Sequence, residues 1–309
     1  MQCVRDVWNR NNGRINMKEL SVVEQLMYTT TRVECVDKSG RISVATAFFC
    51  KLYIDQDRFC DVLVSNRHVF ENLREIIFHI TLATKGGAPT TEYKDYHLVL
   101  GDKSNSIILH PDKDVDLAIM LIHPILIEMH QRLQRTLFYK SITDAQIANL
   151  SDEKYDALEE VIMIGYPVGL WDNVNNRPLF RRGITATDPK VDYQGKPMFL
   201  IDCACIQGSS GSPVFALHKG YLTDKHGKPL NQYGATLELL GIQSAMPVKS
   251  ILADLTYVER TAQKPVANVQ IPINLGYVVK AEKLKEFIPI IREIVNAAEK
   301  MLKNLPQRN

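Results

Sequence analysis

Residues 207–213, which read Gln-Gly-Ser-Ser-Gly-Ser-Pro, carry the most information about the fold of this chain. Apolar runs typical of short strands lie on both sides, at 199–205 and 214–217. The stretch therefore predicts a tight turn that presents a serine between two strands. Its glycines permit backbone conformations in which N–H groups turn inward, toward a point where negative charge can develop during acyl transfer.

Two further segments place ionisable side chains beside strands. Residues 62–69 put His68 just past an apolar strand, and residues 114–120 put Asp116 immediately before another strand. A serine hydroxyl is a poor nucleophile until a base removes its proton, and an imidazole base needs a partner that fixes its tautomer. Each segment alone is typical of a structural role. Together they supply the three parts of a nucleophilic site.

The composition limits the class of protein. The chain has 309 residues, enough for one large domain or two small ones. Its 45% hydrophobic and 23% charged residues are typical of a globular protein. With 37 basic and 35 acidic side chains, the sequence lacks the excess of positive charge that is typical of proteins that bind nucleic acid or an anionic membrane. We therefore expect no nucleic-acid partner and no membrane partner.

The expected compartment is the cytoplasm. The polar stretch 1–16 lacks the apolar segment of a signal peptide, no apolar run is long enough to span a membrane, and Met17 is an alternative start. The cysteines are expected to be free thiols, with a Cys50–Cys60 disulfide across a hairpin left open. No metal site or cofactor is expected, because a Cys-x-Cys pair alone is a weak ligand set. The cysteines are Cys3, Cys35, Cys50, Cys60, Cys203 and Cys205.

Strand-like runs dominate the rest of the chain. A capping box formed by Ser21 and Glu24 predicts a short helix over about 21–28, at the end of an N-terminal extension of residues 1–28. Many short strands at close spacing predict a barrel or a sandwich. The predicted strands are 29–36, 43–52, 61–65, 76–82, 97–100, 107–109, 117–122, 161–164, 199–205, 214–217, 237–243 and 275–279.

Two helical regions are predicted. Apolar side chains recur at helical spacing between 126 and 137, and a second helical stretch follows from about Asp144, so we expect a helical insertion over about 124–158. The end of the chain carries one apolar stripe, which predicts an amphipathic helix over 282–303. We expect this helix to pack on its own domain. An interface with a protein partner or a second copy is the alternative.

The serine, histidine and aspartate segments together resemble the motifs of trypsin-like serine peptidases. Residues 208–213 resemble the family's Gly-x-Ser-Gly-[Gly/Ser]-Pro motif, 65–69 its Thr-Asn-x-His-Val segment, and 116–118 its Asp-Leu-Ala segment, in the family's order. The resemblance spans roughly residues 32–288. Matches similar to bacterial Deg-type and stand-alone trypsin-like domains lie at 45–49, 164–169, 182–184 and 240–242.

The resemblance implies a fold and a set of roles. The fold is an all-β dominated, chymotrypsin-like double β-barrel over residues 29–290, with added helices. We expect no PDZ-like domain after it, because only the predicted closing helix follows the barrel. Ser210 is then the nucleophile, His68 the general base and acid, and Asp116 the orienting carboxylate. The amides of Gly208 and Ser210 form the oxyanion hole.

Other residues compete for these roles. Ser209 and Ser212 flank the nucleophile, but Ser210 alone has a glycine two positions before it and one directly after it. The Gly-x-Ser-x-Gly elbow of α/β-hydrolases does not fit, because Ser212 stands at its second glycine. Asp114 shares a strand face with Asp116, but only Asp116 directly precedes Leu-Ala.

The sequence departs from the family pattern at two places. Ser209 stands where secreted digestive relatives carry an Asp that pairs with a freshly cut N-terminus, so we do not expect activation by such cleavage. Ala45 and Ala47 replace two glycines of a Gly-Thr-Gly-Phe-Phe pattern, which suggests a distorted site. Three functions follow as hypotheses: a serine endopeptidase acting on polypeptides, a catalytically weak binding or sensor module, and an esterase.

The resemblance also implies a substrate pocket. In relatives the residue six before the nucleophile, here Ala204, lies at the base of the pocket for the side chain before the scissile bond. Gln243, Ser244 and Ala245 would form the opposite wall. Ala204 and its two neighbours cannot neutralise a buried cation, so we expect cleavage after small or medium apolar residues. A role for Ala204 as core filler is the alternative.

Overall fold

A computed structural model describes residues 20–101, 106–254 and 266–303, so residues 1–19, with Cys3 and Met17, lie outside it. The helices are α1 (Val22–Leu26), α2 (Arg67–Phe70), α3 (His123–Leu133) and α4 (Phe287–Lys303). None of these described helices is both long and apolar enough to cross a bilayer. The strands are β1 (Thr30–Asp37), β2 (Ile42–Tyr53), β3 (Phe59–Ser65), β4 (Leu73–Ala83), β5 (Pro89–Val99), β6 (Ile107–Leu109), β7 (Ala118–Leu121), β8 (Leu137–Phe138), β9 (Ile142–Thr143), β10 (Glu160–Gly165), β11 (Leu179–Thr185), β12 (Met198–Asp202), β13 (Pro213–Thr223), β14 (Pro229–Ala245), β15 (Val248–Asp254), β16 (Val266–Pro272) and β17 (Leu275–Lys280).

The strands of the N-terminal half form an open sheet. Their order is β5-β4-β1-β2-β3-β7-β6, with β8 paired to β4 and β9 to β2. Within the described residues the edge strand β5 pairs with β4, and the three-residue edge strand β6 pairs with β7. The prediction of two closed barrels is therefore wrong for this half, because no ladder between described residues joins β5 to β6.

The strands of the C-terminal half form a closed barrel. Their order is β10-β11-β12-β17-β14-β13, which confirms the predicted barrel for this half. The long strands β13 and β14 are paired from Pro213 opposite Ile242 to Thr223 opposite Pro229. Strands β15 and β16 form a separate two-stranded sheet that the sequence patterns did not predict.

The helical predictions are confirmed in part. The capping box at Ser21 and Glu24 is present at the start of α1. The insertion is shorter than predicted, because Asp144 begins only a three-residue 3-10 turn. Beyond that turn the Ala148 amide donates to the Leu239 carbonyl of β14 at 3.0 Å. In a helix this amide would instead donate to a carbonyl four residues earlier in the chain.

One hydrophobic core joins the two halves of the chain. It contains Phe48 of the open sheet and Phe215 of the barrel. Helix α4 adds Phe287 and Ile291, both with no exposed surface. The C-terminal helix therefore packs on its own chain, while Ile294 on the same helix is 40% exposed.

Removing the Phe287 side chain tests how much this helix contributes to stability. We expect Phe287→Ala to lower the free energy of unfolding by about 3–5 kcal/mol, because it opens a cavity in the shared core. Ile294→Ala is the matched control, and its more exposed side chain should cost much less. Denaturant unfolding of both variants measures the difference. Equal losses would show that α4 does not support the core through Phe287.

The cysteines of the described residues are all unpaired. Cys50 of β2 stands opposite Val62, and Cys60 of β3 stands opposite Leu52. The alternative of a Cys50–Cys60 disulfide is therefore wrong, because the two residues are not cross-strand partners. Burial raises the pKa of Cys205 to about 12, so this side chain is a thiol at neutral pH.

Candidate active site

The register of two neighbouring strands brings His68 and Asp116 together. Ser65 at the end of β3 pairs with Ala118 at the start of β7. Because the strands are antiparallel, residues that follow Ser65 and residues that precede Ala118 lie at one edge of the sheet. His68 Nδ1 lies 2.8 Å from Asp116 Oδ2, and the His68 amide donates to Asp116 Oδ1 at 3.1 Å.

Further hydrogen bonds fix the carboxylate of Asp116. The Ser244 hydroxyl donates to Asp116 Oδ2 at 2.5 Å, and Asn66 Nδ2 donates to the Asp116 carbonyl at 2.9 Å. Burial acts to raise the pKa of Asp116, but the bonds and charge of His68 and the Ser244 hydroxyl outweigh it and hold that pKa below its ordinary value. The carboxylate is therefore ionised at neutral pH beside an imidazole that is half exposed.

Ser210 lies in the turn between β12 and β13 and reaches the same site through Ser244. Its hydroxyl donates to the Ser244 carbonyl at 2.9 Å, while the Ser244 hydroxyl bonds to Asp116. Within the described residues no hydrogen bond joins Ser210 to His68. The fold thus brings the three predicted residues to one site, where Ser244 bonds to both Ser210 and Asp116, and Asp116 bonds to His68. The Ser210 hydroxyl points toward the Ser244 carbonyl.

The competing residues are differently placed. Ser209 and Ser212 are buried, whereas Ser210 is partly exposed. The Ser209 hydroxyl accepts from Arg181, and the Ser212 hydroxyl donates to Thr46. Asp114 is exposed. Across the described part of the chain, no group of His, Cys, Asp and Glu side chains is arranged to hold a metal ion.

The turn before Ser210 leaves two amides available. The Gln207 carbonyl accepts from the Val168 amide at 2.6 Å, and the Ser209 carbonyl accepts from the Ser212 amide at 2.9 Å. In a trans peptide the N–H points opposite to the C=O. The N–H groups of Gly208 and Ser210 therefore point away from these partners, and neither has an acceptor among the described residues.

Glycine is required at both ends of this turn. Gly208 has φ +85° and Gly211 has φ +84°, values that favour glycine. A side chain at Gly208 would also collide with the Tyr166 carbonyl, and one at Gly211 would collide with the Thr46 carbonyl. The Gly-x-Ser-Gly spacing is thus a consequence of backbone conformation and of close packing.

Thr46 of β2 ties the turn to the N-terminal sheet. Its amide donates to the Ser210 carbonyl at 2.9 Å, and its hydroxyl donates to the Gly208 carbonyl at 3.2 Å. Sequence reasoning gave Thr46 no role, although it lies inside the Ala-Thr-Ala-Phe-Phe match. Ala45 and Ala47 are buried in the core of the open sheet, where their methyl groups are accommodated.

The four predicted pocket residues fall into two groups. Ala204 and Ala245 are exposed, so Ala204 is not core filler. The buried side chain of Gln243 donates to the Ala245 carbonyl at 3.1 Å, and the Ser244 side chain bonds to Asp116. Gln243 and Ser244 therefore turn their side chains into the protein. The role of Ser244 beside Asp116 had no signal in the sequence.

Comparisons with known proteins indicate the family to which this chain belongs. A family model described as a trypsin-like peptidase domain matches residues 45–223. No curated protein sequence matches this chain. The chain is similar to the HtrA-type protease AlgW with a tripeptide, at 13% identity over 88% of this chain and 62% of that one, with a TM-score of 0.44.

Two further solved structures are similar to the same degree. The serine endoprotease from Yersinia pestis is 13% identical over 88% of this chain and 65% of its own, with a TM-score of 0.41. The active form of the Rv3671c protease from M. tuberculosis is 13% identical over 86% of this chain and 81% of its own, with a TM-score of 0.39. The chain thus spans less than two thirds of the length of AlgW and of the Yersinia protein.

Proposed function

Because the chain belongs to the family of trypsin-like peptidase domains, we propose that it is a serine endopeptidase that hydrolyses peptide bonds through an acyl-enzyme. In this proposal Ser210 is the nucleophile, His68 the general base and acid, and Asp116 the orienting carboxylate. The observation that carries it is the 2.8 Å contact between His68 Nδ1 and Asp116 Oδ2. With Nδ1 donating to the carboxylate, Nε2 is the nitrogen that accepts a proton.

Acylation requires a proton transfer and a bond exchange. His68 Nε2 takes the hydroxyl proton as Ser210 Oγ attacks the scissile carbonyl carbon, and the carbonyl electron pair moves onto oxygen. Asp116 stabilises the imidazolium that forms. The imidazolium then protonates the leaving amine as the C–N bond breaks. Water repeats the same steps on the acyl-enzyme, which releases the acid and restores Ser210.

The oxygen that becomes negative needs preorganised donors. The amides of Gly208 and Ser210 serve this role in the proposal, since neither is used by another described group. One such donor is typically worth about a hundredfold to a thousandfold in kcat. Because Thr46 and Val168 already bind the neighbouring carbonyls, the two amides need little reorganisation during the reaction.

Ser210 must leave the Ser244 carbonyl before it reacts. Rotation about its Cα–Cβ bond exchanges this acceptor for His68 Nε2, and catalytic hydrogen bonds often tighten only when substrate is bound. The same hydrogen bond favours the second candidate function. A binding or sensor module of weak catalytic power would keep the hydroxyl of Ser210 on Ser244 when a peptide binds.

Digestion of an unstructured protein and of a small ester distinguishes the candidate functions. An endopeptidase cuts internal peptide bonds of casein, and mass spectrometry identifies the new termini. An esterase hydrolyses p-nitrophenyl acetate and leaves casein intact. A binding module leaves both intact even at stoichiometric amounts of protein, and that outcome would contradict the proposed function.

The residue before the cut is predicted to be small or medium and apolar, such as Val, Ala, Leu or Met. The exposed Ala204 offers no carboxylate, and the Arg181 guanidinium, 2.6 Å from its carbonyl oxygen, would repel a substrate Lys or Arg. A peptide library measures the preference. Ala204→Asp should depress cleavage after apolar residues if this side chain lines the pocket. A strong preference for Lys or Arg would show that Ala204 is wrongly placed in the pocket.

A further inference from the structure

Arg181 of β11 binds the segment that leads to the candidate nucleophile. Its Nη1 donates to the Ala204 carbonyl at 2.6 Å and to the Ser209 hydroxyl at 2.7 Å. The Ser209 hydroxyl in turn lies 3.4 Å from the Ile206 amide, and the Ser209 amide donates to the Ile206 carbonyl at 3.0 Å. One guanidinium nitrogen therefore clamps both ends of residues 204–209.

The rest of this guanidinium has no partner within residues 20–101, 106–254 and 266–303. Arg181 Nε and Nη2 are buried without a hydrogen bond, and no carboxylate of the described residues forms an ion pair with Arg181. Burial lowers the pKa of Arg181. An uncompensated buried charge lowers stability. The charge of Arg181 therefore does not stabilise the fold. The two hydrogen bonds that it donates to residues 204–209 are its observed contribution to the structure.

The clamp acts next to the atoms that react. Ser209 directly precedes Ser210, and its buried side chain points into the protein while Ser210 is partly exposed. The Val168 amide and the Thr46 hydroxyl donate to the carbonyls of Gln207 and Gly208 in the same turn. Through its bonds to Ala204 and Ser209, Arg181 is thus placed to fix the conformation of the turn.

We propose that Arg181 is a positioning residue that holds residues 204–209 so that the amides of Gly208 and Ser210 are preformed as an oxyanion hole. This inference rests on the proposed function. Because Arg181 is an internal residue of the chain, the clamp requires no cleavage to create a new N-terminus. Arg181 acts through Ser209 and Ala204 and does not itself touch the reacting atoms.

The test compares Arg181→Met with Arg182→Met in the full chain. Arg182 is the next residue of β11, is exposed and bonds to Glu160, so it is a matched control outside the site. We expect Arg181→Met to lower kcat/KM by about a hundredfold, the scale of a 1 Å misplacement. Its affinity for a peptide aldehyde, whose adduct carries the oxyanion, should fall by a similar factor. Arg182→Met should match the wild type.

Thermal unfolding separates positioning from a structural role. Removing a partly buried charge that forms no ion pair with a described residue should leave the Tm of Arg181→Met unchanged or raise it. A loss of activity should therefore occur without a fall in Tm. A Tm that falls together with activity would overturn the proposal. Activity and aldehyde affinity within twofold of the wild type would also overturn it while leaving the proposed function intact.

Hydrogen exchange gives a result that does not depend on catalysis. The amides of Ser209, Gly211 and Ser212 donate to carbonyls around the turn. They should exchange roughly tenfold faster in Arg181→Met than in Arg182→Met, with equal exchange in β2. Equal exchange rates of these amides in the two variants would contradict the proposal that Arg181 holds the turn. If the wild type cuts nothing and exchange still rises, the proposed function fails and the clamp stands.

Discussion

Replacing Ser210 with alanine is expected to lower kcat for peptide hydrolysis by about a millionfold, because the atom that forms the acyl bond is lost. His68→Ala should have nearly the same effect, since the serine hydroxyl then keeps its proton. The residual rate reflects substrate binding and the oxyanion amides alone. Steady-state kinetics on one internally cleaved peptide, with the same peptide for every variant, measures the loss.

The fold and a second histidine serve as controls for this result. Ser210→Ala should unfold at the wild-type temperature, so that a lost rate cannot be attributed to a lost structure. His97 matches His68, because its side chain is 53% exposed against 51% and lies 3.0 Å from a carboxylate, that of Glu75. His97→Ala should therefore retain the wild-type rate. Full activity in Ser210→Ala would contradict the assignment of the nucleophile.

Asp116→Asn is expected to lower kcat/KM by roughly ten-thousandfold. The pKa of Asp116 is held below its ordinary value, so the wild-type side chain is negative at neutral pH. The amide removes that charge and can donate to Nδ1, which favours the tautomer with its proton on Nε2. His68 would then lack a free nitrogen to accept the serine proton. Kinetics at neutral pH measure the effect.

Asp114→Asn is the matched control for this prediction. Asp114 is two residues earlier on the same predicted strand face, but its side chain is exposed. We expect its replacement to leave kcat/KM unchanged. A large loss in Asp114→Asn together with a small loss in Asp116→Asn would show that the carboxylate was assigned to the wrong residue.

Local patterns explain why much of the fold could be predicted. Short apolar runs indicated β2, β3 and β10 within two residues of their observed ends, because a strand that is buried on both faces is apolar at nearly every position. The capping box at Ser21 also depends only on neighbours in sequence. His68 and Asp116 could be paired only through the family motifs, since the sheet register that joins them is not local.

Features set by distant contacts were missed. The apolar pattern near Asp144 suits a helix, but the pairing of Ala148 with Leu239 of β14 prevents one. The N-terminal sheet would close into a barrel only if β5 and β6 paired by hydrogen bonds, and no local sequence pattern predicts whether they do. The contacts of Ser244 and Arg181 depend on where their side chains point in the folded chain. A serine near a strand end and an arginine within a strand are common in any sequence, so neither residue could be singled out.

Labelling with a fluorophosphonate tests the central claim most directly, because this probe reacts with a serine hydroxyl only when a base activates it. The account predicts one covalent adduct per chain, located on Ser210 by mass spectrometry, and no adduct in Ser210→Ala or His68→Ala. Arg182→Met should label as the wild type does. No adduct on the folded wild-type protein, or an adduct on a residue other than Ser210, would contradict the account.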